Sequence, residues 1–263
     1  MIKMRKRFKL VILCLGCLSM SFLSKPKPIR VFLIGDSTVA DYSLESDYLR
    51  AKYPITGWGQ VFQQFLQRDS LKKLDHIIKG DSAVVVDKAK GGRSTRSFFE
   101  EGRWKEVLEK LSKNDLVLIQ FGHNDAAIDK PERYTSIPAY KDFLRMYVNQ
   151  TREKNAKPIL ITPVSRNYPW KDGKLGSAHG NYPQAVKDMA AELKVPMIDL
   201  TTLSADFFSK KGEAFVKNTY FMNLDSGKYQ AYPNGQKDNT HFQPAGAMEV
   251  AKLVYNGLKK LNN

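Results

Sequence analysis

The segment IRVFLIGDST, residues 29–38, joins the first predicted β-strand to the first reactive side chain of the chain. Its first part, residues 29–34, is a nearly continuous run of apolar and β-branched residues, which is typical of a strand buried on both faces. Ser37 stands just past the end of that run. In an open parallel sheet, ligands bind beyond the carboxyl ends of the strands, so Ser37 lies where a functional site is expected.

Further apolar runs alternate with segments of helical spacing over the rest of the chain. The strand candidates are residues 83–86, 116–121, 159–162 and 195–200, and the helix candidates are residues 58–66, 104–111, 140–152, 182–193 and 245–261. Such alternation predicts a parallel sheet with helices on both faces. Because no repeat or linker separates two cores, we expect residues 25–263 to form one α/β domain with a central, mostly parallel five-stranded sheet.

The amino-terminal segment, residues 1–24, has the pattern of an export signal. Five basic residues lie within residues 1–9, and the apolar run 10–23 that follows is short for a transmembrane span. Residues 15–17 resemble the end of a bacterial lipoprotein signal, with a lipid anchor at Cys17, whereas residues 21–24 offer an ordinary cleavage site. Both alternatives stay open. We expect an exported protein without a transmembrane span, which is periplasmic, a cell-surface lipoprotein or secreted.

The charge of the chain restricts its partners. Its 263 residues include 42 Lys and Arg against 27 Asp and Glu, a formal net charge of +15, of which residues 1–24 hold five. Nucleic acid is the usual partner of a basic protein, but an exported protein rarely meets it. We therefore expect an anionic polysaccharide or a negatively charged cell surface as partner, and no nucleic acid. A charge that serves only solubility is the alternative.

Reactive side chains also occur in three later segments that can reach the same edge of the sheet as Ser37. Residues 89–94 follow the second strand candidate, residues 122–125 follow the third, and residues 238–241 precede the last helix candidate. Each segment alone is an ordinary turn or helix-cap sequence. Together, their side chains complement one another as the parts of a serine hydrolase site do.

Ester hydrolysis assigns a role to each of these residues. Ser37 is the candidate nucleophile, His241 the base that takes its proton, and Asp238 the carboxylate that fixes the tautomer of His241. The oxyanion of the tetrahedral intermediate needs hydrogen-bond donors, which the backbone N–H groups of Ser37 and Gly92 and the side-chain amide of Asn124 can supply. Glycine at position 92 suits this role because no Cβ separates the substrate from the backbone.

In this order, the four segments resemble those of the SGNH (GDSL-type) esterase and lipase superfamily, whose four named residues correspond here to Ser37, Gly92, Asn124 and His241. The similarity extends from about residue 29 to residue 258. Within the superfamily, the local sequence resembles that of rhamnogalacturonan acetylesterases at residues 35–40, 57–60, 92–94 and 238–242.

The resemblance implies a flavodoxin-like three-layer α/β/α sandwich, a two-step Ser-His-Asp mechanism through an acyl-enzyme, and neither metal nor cofactor. It implies a serine carboxylic-ester hydrolase that removes acetyl groups from a plant cell-wall polysaccharide, above all the rhamnogalacturonan of pectin. The alternatives are an esterase of the same superfamily for acetylxylan, lipid or aryl esters, and a glycan-binding relic without activity. The domain lacks a His-Glu-x-x-His motif and has no cysteine after Cys17, which excludes a Cys-ligated zinc from it.

Two residues near these motifs are candidates for substrate binding. Arg93 is expected either to pair with a uronate carboxylate or to form a salt bridge inside its loop. Trp58 is expected either to stack on a sugar face or to belong to the core. We interpret His123, beside Asn124, as a residue that positions its loop rather than as the catalytic base.

Overall fold

Strands and helices alternate along residues 27–261, the part of the chain that this computed structural model describes; the predicted export segment, residues 1–24, lies outside it. The strands, in chain order, are β1 (Ile29–Gly35), β2 (Ala83–Asp87), β3 (Leu116–Gln120), β4 (Lys157–Ile161), β5 (Trp170–Lys171), β6 (Lys174–Leu175), β7 (Met197–Ile198), β8 (Phe221–Leu224) and β9 (Gln236–Phe242). The α-helices are α1 (Tyr48–Ala51), α2 (Arg68–Lys72), α3 (Thr95–Glu100), α4 (Arg103–Lys110), α5 (Ile137–Glu153), α6 (Tyr182–Leu193), α7 (Leu200–Lys211), α8 (Glu213–Thr219) and α9 (Pro244–Leu258). Short 3-10 helices span Tyr42–Leu44 and Trp58–Leu66.

The central sheet contains five strands in the order β2-β1-β3-β4-β7, and every neighbouring pair is parallel. Parallel neighbours require crossover connections, which the intervening helices supply. The sheet confirms the predicted α/β fold and its strand number.

Side chains that alternate along the sheet strands enter two separate hydrophobic clusters. Val31 and Leu33 of β1 belong to the cluster that also includes Phe62 of the second 3-10 helix and residues of α9. Phe32 and Ile34 belong to the other, with residues of α5 and α6. Both faces of the sheet are therefore covered, which explains why the strand sequences are almost continuously apolar.

The loops that follow β1, β2 and β3 emerge at the carboxyl edge of the sheet. Gly35, the last residue of β1, lies opposite Gln120 of β3. A Cβ at Gly35 would lie 2.5 Å from the carbonyl oxygen of Gln120. Glycine is required here because a side chain would collide with the neighbouring strand at the point where the chain enters the turn that holds Ser37.

Several elements differ from the sequence-based expectation. Residues 58–66 form a 3-10 helix rather than an α-helix. Of residues 195–200, only Met197–Ile198 pair with the sheet, because Asp199 caps α7 by accepting a hydrogen bond from the backbone N–H of Thr202. Residues 213–242, for which the sequence predicts neither a helix nor a strand, contain α8 and the antiparallel ribbon of β8 and β9.

None of the helices within residues 27–261 is both long enough and apolar enough to cross a lipid bilayer.

Candidate active site

Ser37 lies in the tight turn that follows β1, and 8% of its surface is exposed. The carboxylate of Asp36 accepts hydrogen bonds from the backbone N–H and the hydroxyl of Thr38, at 2.9 and 2.8 Å. On the other side of the turn, the hydroxyl of Tyr42 donates to the carbonyl oxygen of Ser37 at 3.1 Å. These bonds fix the backbone of the turn and leave the side chain of Ser37 at the wall of a cavity.

Asp238 and His241 lie together on β9. The sequence had suggested that they share a loop. The ribbon is anchored by Phe242, which is fully buried, lies opposite Phe221 and accepts a hydrogen bond from the N–H of Thr56 at 2.9 Å. This anchor brings His241 to the cavity that Ser37 lines. The Nδ1 atom of His241 is 2.6 Å from Oδ2 of Asp238.

The surroundings of Asp238 favour its ionised form. Burial opposes ionisation, but the hydrogen bond from the ring of His241 and those from the backbone N–H groups of His241 (3.1 Å) and Thr240 (2.7 Å) outweigh it, so the pKa of Asp238 is lowered. A carboxylate at this position retains a proton on Nδ1 of His241. The Nε2 atom is then free to accept a proton from a nucleophile.

Gly92 lies on the loop after β2 with φ of +81°, a left-handed conformation that favours glycine. The loop adjoins the nucleophile turn, since a Cβ at the preceding Gly91 would lie 3.6 Å from the Cβ of Ser37. Both glycines and Ser37 line the same cavity. The structure therefore brings the predicted oxyanion loop beside the predicted nucleophile.

Asn124, on the loop after β3, is held by hydrogen bonds at both ends of its amide. Its Nδ2 atom donates to the carbonyl oxygen of Arg93 at 2.9 Å, and its Oδ1 atom accepts from Nη1 of Arg133 at 3.2 Å. An amide nitrogen carries two hydrogens, so one N–H remains for a further acceptor. Asn124 is thus oriented and still able to donate to an oxyanion in the cavity.

The cavity between these loops has a volume of about 540 Å³. Five of the predicted site residues line it: Ser37, Gly92, Arg93, Asn124 and His241. Within residues 27–261, the side chains of Ser37 and His241 face this common space without a direct hydrogen bond between them. Catalytic hydrogen bonds are often long in free enzymes and tighten when substrate binds.

Arg93 and Trp58 differ in their placement. Arg93 lines the cavity, but its Nε is 3.0 Å from both carboxylate oxygens of Glu101 and its Nη1 donates to the carbonyl of Gly91 at 2.7 Å, which corresponds to the salt-bridge alternative. Trp58 has no exposed surface, and its Nε1 donates to Oε1 of Gln120 at 2.9 Å. The stacking role for Trp58 is therefore wrong, because its ring belongs to the core.

His123 lies almost fully buried at the base of the cavity. Its Nδ1 is 3.3 Å from Oδ2 of Asp36, and its ring packs edge-on against His179 with the ring centroids 4.4 Å apart. Burial lowers the pKa of His123, although the nearby Asp36 carboxylate opposes this effect. A neutral, enclosed ring between the loops of Ser37 and Asn124 is suited to positioning them.

Sequence reasoning did not identify Tyr42, Arg133 or Arg166, all of which line the cavity. Tyr42 begins the first 3-10 helix, in the connection after β1, and Arg133 and Arg166 lie in the connections after β3 and β4. Their only sequence signal was membership of loops at the carboxyl edge of a parallel sheet, where functional residues concentrate.

Comparison with known proteins agrees with this geometry. Residues 33–247 match the model of the GDSL-like lipase/acylhydrolase family. The chain belongs to this family. It is 39% identical over 235 residues to the rhamnogalacturonan acetylesterase RhgT of Bacillus subtilis (strain 168), covering 89% of this chain and 91% of the relative. It is also 39% identical over 233 residues to the probable rhamnogalacturonan acetylesterase YesY of the same strain, covering 88% and 93%. The resemblance drawn from the motifs is confirmed.

Solved structures confirm the fold of this GDSL-family protein. Protein YxiM from Bacillus subtilis superimposes with a TM-score of 0.70 at 24% identity, over 89% of this chain and 57% of the YxiM chain. The acetylxylan esterase Axe2 from Geobacillus stearothermophilus superimposes with a TM-score of 0.58 at 19% identity, over 88% and 94%.

Proposed function

We propose that this GDSL-family protein is a carbohydrate O-acetylesterase that removes acetyl groups from rhamnogalacturonan. The observation that carries the proposal is the 39% identity to RhgT over nearly the whole length of both proteins. The convergence of Ser37, Asn124 and His241 on one cavity supports it, because a relative without activity would not need to retain this arrangement.

In the first step, the hydroxyl oxygen of Ser37 attacks the acetyl carbonyl carbon while its proton passes to Nε2 of His241. Asp238 stabilises the imidazolium that forms. The oxyanion accepts hydrogen bonds from the N–H groups of Ser37 and Gly92 and from the free amide N–H of Asn124. When the tetrahedral intermediate collapses, the ester C–O bond breaks, the sugar oxygen takes the proton from His241, and the acetyl group stays on Ser37.

In the second step, water takes the place of the sugar. His241 accepts a proton from the water as its oxygen attacks the acetyl carbon. Collapse of this second intermediate breaks the bond to Ser37, which recovers its proton from His241. One water is consumed, and one acetate and one sugar hydroxyl are produced.

The charge of the cavity wall supports an anionic polymer as the substrate. Of the Asp, Glu, Lys and Arg residues that line the cavity within residues 27–261, six are cationic and one is anionic: Lys52, Lys90, Arg93, Lys130, Arg133 and Arg166 against Glu45. Rhamnogalacturonan contains galacturonate, so its carboxylates complement such a wall.

The predicted export signal fits this substrate, because a plant cell-wall polymer is encountered outside the cell. We therefore also propose that the protein is exported, with cleavage either before Cys17, which is then lipidated, or near residue 24. The amino-terminal residue and the mass of the protein recovered from its native host distinguish the two.

The function is tested by acetate release from acetylated rhamnogalacturonan and acetylated xylan side by side, with Ser37→Ala as the control. We expect release from the pectic polymer that is lost in the variant. Acetate release from xylan alone would support the mechanism but contradict rhamnogalacturonan as the substrate. No release from either polymer, together with no hydrolysis of p-nitrophenyl acetate, would contradict an esterase.

A further inference from the structure

We propose that Arg166 forms a subsite for the carboxylate of a uronate residue in the substrate. This inference rests on the proposed function and adds to it the residue that selects an anionic sugar over a neutral one. It depends on how each cation around the cavity is already engaged, on where Arg166 lies, and on which of its hydrogen-bond donors remain available.

Four of the six cations that line the cavity are occupied by other groups, and a fifth, Lys130, is exposed to solvent. Lys52 and Lys90 each lie 2.6 Å from the carboxylate of Glu45. Arg93 is paired with Glu101. Arg133 donates to the amide oxygen of Asn124 and thus orients the amide proposed as an oxyanion donor. A substrate carboxylate would have to compete with these partners.

Arg166 is held differently from these cations. Its Nη1 donates to the hydroxyl oxygen of Thr240 at 2.8 Å and its Nη2 donates to the carbonyl oxygen of His123 at 3.3 Å. Both acceptors are neutral, and within residues 27–261 no Asp or Glu lies within salt-bridge distance of this guanidinium. The half-buried charge is thus oriented by hydrogen bonds while its counterion is left to come from the cavity.

The position of Arg166 relates it to the reaction. Thr240 precedes His241, and His123 precedes Asn124, so the guanidinium bridges the segment of the base and the segment of the oxyanion donor. A guanidinium has five N–H donors in one plane, and the two contacts leave three. Paired N–H donors match the two oxygens of a carboxylate. A uronate ring that presents an acetyl ester to Ser37 carries its carboxylate on the same ring, within the same cavity.

The proposal is tested by inhibition of p-nitrophenyl acetate hydrolysis with unacetylated digalacturonate and with its methyl ester, which has the same rings without the charges. The variants are Arg166→Gln and Arg166→Lys. Arg152→Gln is the matched control, because Arg152 also donates to neutral acceptors, the backbone carbonyls of Leu193 and Lys194, and lies at the opposite end of the sheet. The inhibition constants of the two ligands are compared with each other within each variant, so a change in the activity or stability of that variant does not affect the comparison.

We expect the wild-type protein and Arg152→Gln to bind digalacturonate about tenfold more tightly than its methyl ester, as one charge-assisted pair provides. Arg166→Gln should lose this preference, and Arg166→Lys should keep part of it. Equal inhibition by both ligands in the wild-type protein, or an unchanged preference in Arg166→Gln, would overturn the subsite while leaving the esterase function intact. Absence of p-nitrophenyl acetate hydrolysis by the wild-type protein, together with no acetate release from either polymer, would instead refute the proposed function.

Discussion

The contact between Arg133 and Asn124 allows a test of whether the Asn124 amide donates to the oxyanion. Replacing Arg133 by Met removes the guanidinium that donates to Oδ1 of Asn124 at 3.2 Å and so fixes which way the amide faces. If Asn124 donates to the oxyanion, loss of this contact should lower kcat and leave KM nearly unchanged, because the affected hydrogen bond strengthens only in the transition state.

Loss of the Asn124 side chain and loss of the Arg133 contact should lower kcat by different amounts. Loss of an oxyanion donor costs about 2.7–4 kcal/mol, so Asn124→Ala should reduce kcat about 10²–10³-fold. Arg133 acts only through the amide, its side chain is 23% exposed, and its 3.2 Å contact is long for a charge-assisted bond. We therefore expect the lower end of the range for such bonds, about 1.4 kcal/mol, or a tenfold loss of kcat.

The assay is a double-mutant cycle with p-nitrophenyl acetate. In the Asn124→Ala background, Arg133→Met should lower kcat by less than about threefold, because the group through which it acts is gone. Arg152→Met, which removes a guanidinium at the far end of the sheet, should leave kcat at the wild-type value. Independent, multiplicative losses from the two substitutions would refute the orienting role of Arg133.

Three further substitutions test the remaining parts of the account. Asp238→Asn should lower kcat about 10³–10⁴-fold by removing the carboxylate that fixes the tautomer of His241; a loss below tenfold in steady-state kinetics would argue against the triad. Trp58→Phe should lower the free energy of unfolding by about 1–3 kcal/mol, since it leaves buried Gln120 without its donor, and should not change KM for acetylated rhamnogalacturonan; a raised KM would return Trp58 to the substrate site. Burial raises the pKa of Asp125 to about 7, so the folded chain holds that proton more tightly than the unfolded chain, and the stability it contributes falls as pH rises from about 4 to 7. Asp125→Asn should remove this fall. In urea unfolding, the free energy of unfolding of Asp125→Asn relative to that of the wild-type protein should therefore increase by up to about 1.4 kcal/mol per pH unit in that range. Parallel curves of stability against pH for the two proteins would contradict a buried acid at this position.

The fold could be predicted from the sequence, and candidate reactive residues could be named, because both depend on local patterns. β1 is apolar on both faces and ends in a glycine that the neighbouring strand requires, and both features are visible within residues 29–38. The strand that carries His241 could not be predicted from the sequence, because Gln236–Phe242 is mostly polar. It forms a strand through its pairing with β8 and the burial of Phe242.

The roles of the arginines could not be predicted from the sequence, because each depends on a contact that only the folded loops create. Arg93 is paired with Glu101, Arg133 reaches Asn124, and Arg166 reaches Thr240, which is 74 positions away. Trp58 similarly lies in the segment 57–60, which resembles rhamnogalacturonan acetylesterases, and only its burial and its contact with Gln120 identify it as a core residue. Motifs in the sequence predict candidates for the reacting groups, whereas the contacts in the folded chain identify the residues that hold those candidates in place.

The central claim, that Ser37 is the nucleophile, is tested most directly by covalent labelling with a p-nitrophenyl alkylphosphonate followed by peptide mass mapping. We predict one adduct per chain, on the peptide that contains Ser37, formed in step with the loss of esterase activity and absent from Ser37→Ala. Inactivation with the adduct on another residue, or wild-type activity in Ser37→Ala, would contradict the account.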